Sequence, residues 1–244
     1  MPFRRQRPDA RLRLFCFPYS GGGASIYRTW SDALAPDVEL CAVQLPGRET
    51  RFKEPAATGM SGLVDQVVEG IKPLLDRPFA LFGHSFGALV SFEMAHKLQS
   101  LGFRPEHLFV SGRQAPHLNY PRSPIHQLGD EAFSDEMRRL NGTPEHVLSN
   151  PALLSLVIGI VRPDYTVCET YRFREGRPLL ECPVTALGGS EDPETTPDDL
   201  ESWGRHTGGD FEARMLPGDH FFIHAQEGLV LETVSDRLHL GPVS

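Results

Sequence analysis

The segment Gly83–Gly87, which reads GHSFG, constrains the fold of this chain more than any other stretch. The apolar run Phe79–Phe82 precedes it, and an apolar pattern of helical spacing follows it until Gly102. A direct passage from strand to helix forces a strained turn that exposes the residue at its tip. Backbone approaches this turn so closely that glycine is favoured on both sides. The pattern predicts that Ser85 is a nucleophile; the alternative is that it only caps the helix.

Strands and helices alternate along most of the chain. Apolar runs predict strands, and apolar residues at helical spacing predict helices. The predicted strands are Leu12–Phe17, Val38–Val43, Phe79–Phe82, Leu108–Ser111, Pro183–Leu187 and Phe211–Leu216, and the predicted helices are Ala24–Leu34, Gly62–Leu75, Ala88–Leu98, Asp198–His206 and Leu229–Leu238. This alternation predicts an α/β fold, a doubly wound and mostly parallel sheet with helices on both faces. A length of 244 residues suits one such domain.

The alternation stops between residues 116 and 171. That stretch contains no strand pattern and instead shows helical patterns at Asp130–Leu140, Pro144–Leu148 and Pro151–Val161, separated by prolines. A helical insertion after a strand lies above the strand ends, where ligands of such sheets bind. We therefore predict a lid over the site. The alternative is that these helices only cover the sheet.

Composition excludes several classes of protein. A net charge of -8 argues against general nucleic-acid binding. No signal-peptide core is present near the N-terminus, and no run approaches the ~18 apolar residues of a membrane span. We therefore expect a soluble, cytoplasmic protein. The five arginines near the N-terminus are expected to form a solvated or disordered arm, or else a patch that docks an acidic partner: Arg4, Arg5, Arg7, Arg11 and Arg13.

The cysteines predict neither a disulfide framework nor a zinc site. There are four of them, and they show neither paired spacing nor density. We expect buried free thiols at Cys16, Cys41, Cys168 and Cys182.

A serine hydroxyl becomes a good nucleophile when a histidine removes its proton and a carboxylate orients that histidine. In this class of fold the chain order is serine, acid, histidine, with each residue on a loop after a strand. His220 follows the last predicted strand and the turn Pro217–Asp219, so it is the predicted base. His224, one helical turn later, is the alternative.

The acid is expected after the fifth predicted strand. The segment Leu187–Pro193 reads LGGSEDP, which places Asp192 or Glu191 at the edge of the sheet. We favour Asp192, although an ordinary acidic turn has the same composition. Asp219 is adjacent to His220 and lies too close in sequence to orient that ring easily.

A glycine-rich loop, Phe17–Ser25, follows the first predicted strand and reads FPYSGGGAS. It lacks the lysine and the glycine spacing of a phosphate-binding loop. In a serine hydrolase such a loop supplies one backbone N–H of the oxyanion hole, and the residue after the nucleophile supplies the other. The predicted donors are Phe86 and either Ser20 or Gly21.

Five blocks of sequence together resemble the type II thioesterases of polyketide and nonribosomal peptide biosynthesis, within the α/β-hydrolase superfamily. These blocks are Phe17–Gly22, Gln44–Glu49, Gly83–Ala88, Arg162–Tyr165 and Leu216–Phe222. The resemblance implies Ser85 as nucleophile, Asp192 as acid, His220 as base, and Ser20 and Phe86 as oxyanion donors. Where the family usually has His-Ala in the first loop this chain has Tyr19-Ser20, and Phe86 replaces a common methionine. The larger Phe86 side chain is expected to narrow the acyl pocket.

The resemblance also implies an activity and a partner. The activity is hydrolysis of aberrant or stalled acyl groups from the phosphopantetheine arm of an acyl or peptidyl carrier protein. Neither a metal nor a cofactor of the enzyme's own is implied, and we expect a monomer. Because carrier proteins and this chain are both acidic, docking is expected on a local basic or apolar patch that includes Arg138 and Arg139. The alternatives are a carboxylesterase or acyltransferase on the same fold, and a catalytically silent binding module.

Overall fold

The computed structural model describes residues 6–118, 123–140 and 142–239. Within them, six parallel strands form one sheet in the order β2-β1-β3-β4-β5-β6. The strands are β1 (Leu12–Phe17), β2 (Val38–Ala42), β3 (Phe79–His84), β4 (His107–Ser111), β5 (Val184–Gly189) and β6 (Phe211–Leu216). The predicted α/β fold with a doubly wound parallel sheet is confirmed.

Nine α-helices lie in the same described ranges. They are α1 (Trp30–Ala33), α2 (Met60–Ile71), α3 (Phe86–Ser100), α4 (Asp130–Arg139), α5 (Glu145–Leu148), α6 (Pro151–Thr170), α7 (Pro197–Glu201), α8 (Phe222–Ala225) and α9 (Glu227–Arg237). Alternate residues of the buried strands point to opposite faces of the sheet. Phe15 and Leu81 pack with α2 and α3 on one face, whereas Leu14 and Phe82 pack with α1 and α9 on the other.

The strand order determines where a ligand can bind. β1 pairs with β2 on one side and with β3 on the other, so the direction of winding reverses between β1 and β3. The loops that leave the carboxyl ends of these two strands diverge and open a crevice at this edge. The glycine-rich loop follows β1 and the Ser85 turn follows β3. The topology therefore brings the two predicted parts of the site together.

The helices differ from the sequence-based prediction at their ends. The predicted helix Ala24–Leu34 is instead a short 3-10 turn, Ala24–Tyr27, followed by α1. The predicted helix Pro151–Val161 continues through Pro163 to Thr170. A proline removes one helical hydrogen bond, but contacts beyond it hold the helix here. The Thr166 hydroxyl donates to the Arg162 carbonyl, and Asp164 is fixed by an ion pair.

The segment 112–183 between β4 and β5, hereafter the insert, carries α4, α5 and α6. These helices share a small apolar core of their own, made of Ile125, Phe133, Met137, Leu148, Ile158 and Val161. By length and mean hydropathy α6 is apolar enough to cross a membrane, although it is not an unbroken apolar run, since it contains Arg162, Asp164 and Glu169. Its middle contacts the loop after β1, where Val161 lies against Gly21 and Asp164 accepts from the Gly21 N–H. That the insert acts as a lid stays a prediction.

The expectation of a solvated basic arm is wrong for Arg7 and Arg13, whereas Arg11 is exposed. Arg7 donates to the carbonyls of Ser31 and Ala35 at the end of α1, at 2.5 and 2.6 Å. Carbonyls at a helix C-terminus lack helical partners, so a guanidinium is a favourable donor for them. Arg11 pairs with Asp37, and Arg13 is buried against Glu39. Arg4 and Arg5 lie outside the described residues.

Candidate active site

The turn between β3 and α3 has the strained geometry that the sequence predicts. Ser85 lies between the two elements with φ 54° and ψ -112°, a region that non-glycine residues rarely adopt. A Cβ atom on Gly83 would collide with the carbonyl of Gly87, and one on Gly87 would collide with the carbonyl of Phe17. Both glycines are therefore required by close backbone approach, and the turn presents the Ser85 hydroxyl at its tip.

Ser85, His220 and Asp192 form a continuous hydrogen-bonded line. The Ser85 Oγ lies 3.0 Å from Nε2 of His220, and Nδ1 of the same ring lies 2.7 Å from Oδ2 of Asp192. A carboxylate only accepts, so Nδ1 carries the ring proton and Nε2 is left to accept from the serine. Asp192 is buried, and its other oxygen accepts from the Glu194 N–H at 2.8 Å. This arrangement can withdraw a proton from Ser85.

The alternative site residues lie elsewhere. Glu191 is exposed, and its N–H donates to the Gly218 carbonyl. The Asp219 carboxylate accepts from the N–H of Phe221 instead of orienting the His220 ring. Nε2 of His224 lies 3.1 Å from the hydroxyl of Tyr19. The geometry of these groups thus favours Asp192 and His220 over the residues that compete with them in the sequence.

His84, the residue before the nucleophile, holds the loop that carries His220. Its Nε2 donates to the His220 carbonyl at 2.9 Å, and its Nδ1 accepts from the Ser111 hydroxyl at 2.8 Å. Burial lowers the pKa of His84 well below its usual value, so the ring stays neutral. Its place beside Ser85 is the one signal that the sequence offers. Nothing in the sequence pairs it with a loop 136 residues away.

Two backbone N–H groups beside Ser85 donate to no protein acceptor within the described parts of the chain. Phe86 is the first residue of α3, where an N–H has no helical acceptor. The other N–H belongs to Ser20, in the loop after β1. The N–H of Gly21, by contrast, donates to Oδ2 of Asp164 at 2.8 Å. Of the two residues that the sequence left open for this loop, Ser20 is thus the one with an available N–H.

A cavity of about 80 Å³ opens at Ser85 and His220. The insert supplies much of its apolar wall through Met137, Leu140, Val161 and Tyr165. Phe86 does not line this cavity: its side chain is 1% exposed and packs in the core under the sheet. The expectation that Phe86 narrows the acyl pocket is therefore wrong. The turn that points Ser85 outward points the next side chain into the core.

Neither metal nor disulfide chemistry is indicated in the described ranges. No cluster of three or more histidine, cysteine, aspartate or glutamate side chains suited to a metal ion occurs in 6–118, 123–140 or 142–239. Cys16, Cys41, Cys168 and Cys182 are free and buried, as predicted. Burial raises the pKa of the Cys168 thiol to about 11, which keeps this thiol protonated and unreactive near neutral pH.

Comparison with known proteins identifies the family. Residues 12–238 match the family model described as "Thioesterase domain". The gramicidin S biosynthesis protein GrsT of Aneurinibacillus migulanus is 44% identical over 95% of this chain and 90% of its own length. Thioesterase PikA5 of Streptomyces venezuelae is 43% identical over 95% of this chain and 82% of its own.

A solved structure agrees with these relatives. The type II thioesterase BorB from the borrelidin biosynthetic cluster superimposes with a TM-score of 0.88 at 37% identity, and the match covers 97% of this chain and 96% of BorB. The resemblance to type II thioesterases seen in the sequence is thereby confirmed. Family, fold and relatives agree that this chain belongs to the thioesterase family of α/β-hydrolases and is a serine hydrolase of thioesters.

Proposed function

We propose that this enzyme removes aberrant or stalled acyl groups from the phosphopantetheine arm of acyl or peptidyl carrier proteins, with Ser85, His220 and Asp192 as its catalytic triad. The observation that supports it most is the hydrogen-bonded line from Ser85 to Asp192 beside the two available N–H groups of Ser20 and Phe86. The relatives add context, because two are named for the biosynthesis of gramicidin S and for a borrelidin cluster.

In the proposed reaction the Ser85 oxygen attacks the thioester carbonyl carbon while Nε2 of His220 takes the serine proton. The carbonyl oxygen becomes negative and is stabilised by the N–H groups of Ser20 and Phe86. The carbon–sulfur bond then breaks, and His220 returns its proton to the departing thiolate. Water, deprotonated by the same histidine, attacks the acyl-enzyme and releases a carboxylic acid and free Ser85. Asp192 stabilises the imidazolium in both halves.

Docking of the carrier protein on α4 remains part of the proposal. Arg138 and Arg139 already pair with acidic neighbours, since Arg138 bonds Asp135 at 2.9 Å and Arg139 bonds Glu136 at 2.9 Å. Exposed pairs of this kind contribute about 0–1 kcal/mol each to stability. Carboxylates of an acidic partner can therefore replace Asp135 and Glu136 beside these arginines at little cost in free energy. This favours a weak, salt-sensitive contact over a preformed basic patch.

A comparison of acyl donors tests the proposal. One acyl group is presented as the carrier-bound thioester, as the thioester of a small thiol, and as an oxygen ester, with and without an amine acceptor. We expect hydrolysis of both thioesters and a kcat/KM at least about 10-fold higher for the carrier, because partner contacts add binding energy. Equal values on carrier and small thiol would contradict carrier recognition. Preference for the oxygen ester would indicate an esterase, and product bearing the amine would indicate an acyltransferase.

The small cavity predicts a preference for short acyl groups. Its volume of about 80 Å³ lies far below the roughly 300–1,000 Å³ of pockets for larger ligands. Met137 lies on its wall, so Met137→Ala enlarges it and should raise kcat/KM for octanoyl relative to propionyl thioesters by about 10-fold, in line with one to three kcal/mol per added apolar group.

The measurement is kcat/KM across a series of acyl chain lengths for the wild type, Met137→Ala and a control, Met60→Ala. Met60→Ala makes the same change on α2, away from the cavity, and should leave the chain-length profile unaltered. An equal shift in the two variants, or none in Met137→Ala, would show that Met137 does not set acyl length.

A further inference from the structure

Two of the sequence blocks that carry the family resemblance have no part in the proposed reaction, yet the structure brings them together. Gln44–Glu49 follows β2, and Arg162–Tyr165 lies in α6 of the insert. Arg48 donates from both terminal nitrogens to Asp164, at 2.6 Å to Oδ2 and 2.7 Å to Oδ1. Their side chains are only 3% and 4% exposed. This paired geometry is the strongest form of an ion pair.

The same carboxylate reaches the loop after β1. Oδ2 of Asp164 accepts from the Gly21 N–H at 2.8 Å, and the Arg48 guanidinium donates to the Gly22 carbonyl at 3.2 Å. Val161, one turn earlier on α6, leaves its Cγ2 only 2.6 Å from where a Gly21 Cβ would stand. The insert and the loop after β2 therefore clamp this loop at the residue that follows Ser20.

Four-residue turns of this kind occur with their central peptide in either of two orientations. Gly22 donates to the Tyr19 carbonyl at 2.9 Å, and Gly21 has φ +78°, the values of a type II turn with Ser20 and Gly21 in the middle. In a type I turn the peptide between these two residues is flipped. The flipped form would direct the Ser20 carbonyl oxygen toward Asp164, and two acceptors repel each other. The carboxylate thus selects one orientation of the Ser20–Gly21 peptide. The Ser20 N–H belongs to the peptide before it, Tyr19–Ser20, so Asp164 acts on that N–H by fixing the place and shape of the turn.

We infer that Asp164, held by Arg48, is a positioning residue for the oxyanion hole: it anchors the Gly21 end of the turn and thereby holds the preceding Tyr19–Ser20 peptide, so that the Ser20 N–H faces the reacting carbonyl. The inference rests on the proposed function, in which Ser20 is an oxyanion donor. A donor must be aimed before charge develops, since a loop that reorients during the reaction loses part of the stabilisation. The contact also makes the position of α6 a condition for a competent oxyanion hole.

Replacing Arg48 and Asp164 together separates the effect of the pair on loop position from its effect on the stability of the fold. A single substitution would leave a buried charge without its partner and destabilise the protein strongly, whereas an apolar replacement of both members is often neutral for stability. We expect the double variant Arg48→Met/Asp164→Leu to stay folded in urea titrations. Its kcat for a short acyl thioester should fall at least about 10-fold, less than the loss of a whole donor, with KM changed by no more than about threefold.

A transition-state mimic gives the second readout. A short alkyl boronic acid forms a tetrahedral adduct on a nucleophilic serine, so its affinity should fall by the same factor as kcat. Arg48→Gln/Asp164→Asn keeps a carbonyl acceptor at position 164 and should recover part of both losses. This milder variant also keeps the test decisive if the apolar one fails to fold, because kcat and boronic acid affinity must then still lie below the wild type.

Arg13 and Glu39 provide a matched control. They form an ion pair of similar burial, with side chains 4% and 1% exposed, at the opposite end of β1 from the Ser20 loop. Arg13→Met/Glu39→Leu should leave kcat and boronic acid affinity unchanged. Wild-type values of both quantities in folded Arg48/Asp164 variants would overturn the inference. Absence of thiol release by the wild type would instead overturn the proposed function on which it rests.

Discussion

Ser85→Ala is expected to lower kcat for thioester hydrolysis by about 10⁶-fold, to the level left by binding and the oxyanion hole alone. The variant keeps the fold and the cavity but has no oxygen to attack the carbonyl carbon, so no acyl-enzyme can form. Release of free thiol from a short acyl thioester measures the loss. Intact-protein mass spectrometry after rapid quenching measures the acyl-enzyme itself, which should be absent.

The control for this variant makes the same chemical change away from the site. Ser61 is exposed on α2, and Ser61→Ala should retain wild-type turnover. A serine-directed fluorophosphonate should label the wild type and Ser61→Ala at Ser85, and leave Ser85→Ala unlabelled. Substantial turnover by Ser85→Ala, or a label mapped to a different residue, would refute the assignment of the nucleophile.

Asp192→Asn should have the second largest effect, a loss of about 10⁴-fold in kcat. Its side chain is buried 2.7 Å from Nδ1 of His220 and receives the Glu194 N–H on its other oxygen. With that oxygen held, an amide would turn its NH₂ group toward Nδ1. The ring would then adopt the tautomer with its proton on Nε2, which cannot accept from Ser85. The positions of the three side chains are kept, but the His220 ring carries its proton on the wrong nitrogen.

Asp198→Asn is the matched control, because Asp198 is exposed in the first turn of α7, a few residues along the same loop region. It should change kcat by less than about twofold, as expected of an exposed substitution. Asp192→Asn should unfold at a urea concentration close to that of the wild type. Retention of kcat within about 10-fold would mean that another group orients His220, and the acid would have to be sought elsewhere.

Much of this site was predictable from sequence because its signals are local. The turn around Ser85 is defined by five consecutive residues, and the order of strands along the chain places Asp192 and His220 at the same edge. The parallel sheet follows from alternation alone, since parallel strands need crossover helices. The apolar runs predict the strand ends within one or two residues of those in the structure, and β1 and β6 match at both ends.

The parts that sequence missed depend on contacts between distant segments. Helix α6 continues through Pro163 because Asp164 is held from outside the helix, and no local pattern reports that contact. Gly21 and Asp164 are 143 residues apart, and His84 and His220 are 136 apart. The N-terminal arginines have partners far along the chain, which composition does not reveal: Arg7 donates to the carbonyls of Ser31 and Ala35, and Arg13 pairs with Glu39.

Because Phe86 is buried, the turn that carries the nucleophile does not also shape the acyl cavity. The loops at the carboxyl ends of the strands carry the reacting groups, while much of the apolar cavity wall comes from the insert through Met137, Leu140, Val161 and Tyr165. Substrate range can therefore diversify by exchange of the insert with little change to the reacting groups. We expect such an exchange between family members to succeed only where the incoming helix has a carboxylate at position 164. The acyl selectivity of the enzyme that supplied the insert is then transferred together with a working oxyanion hole.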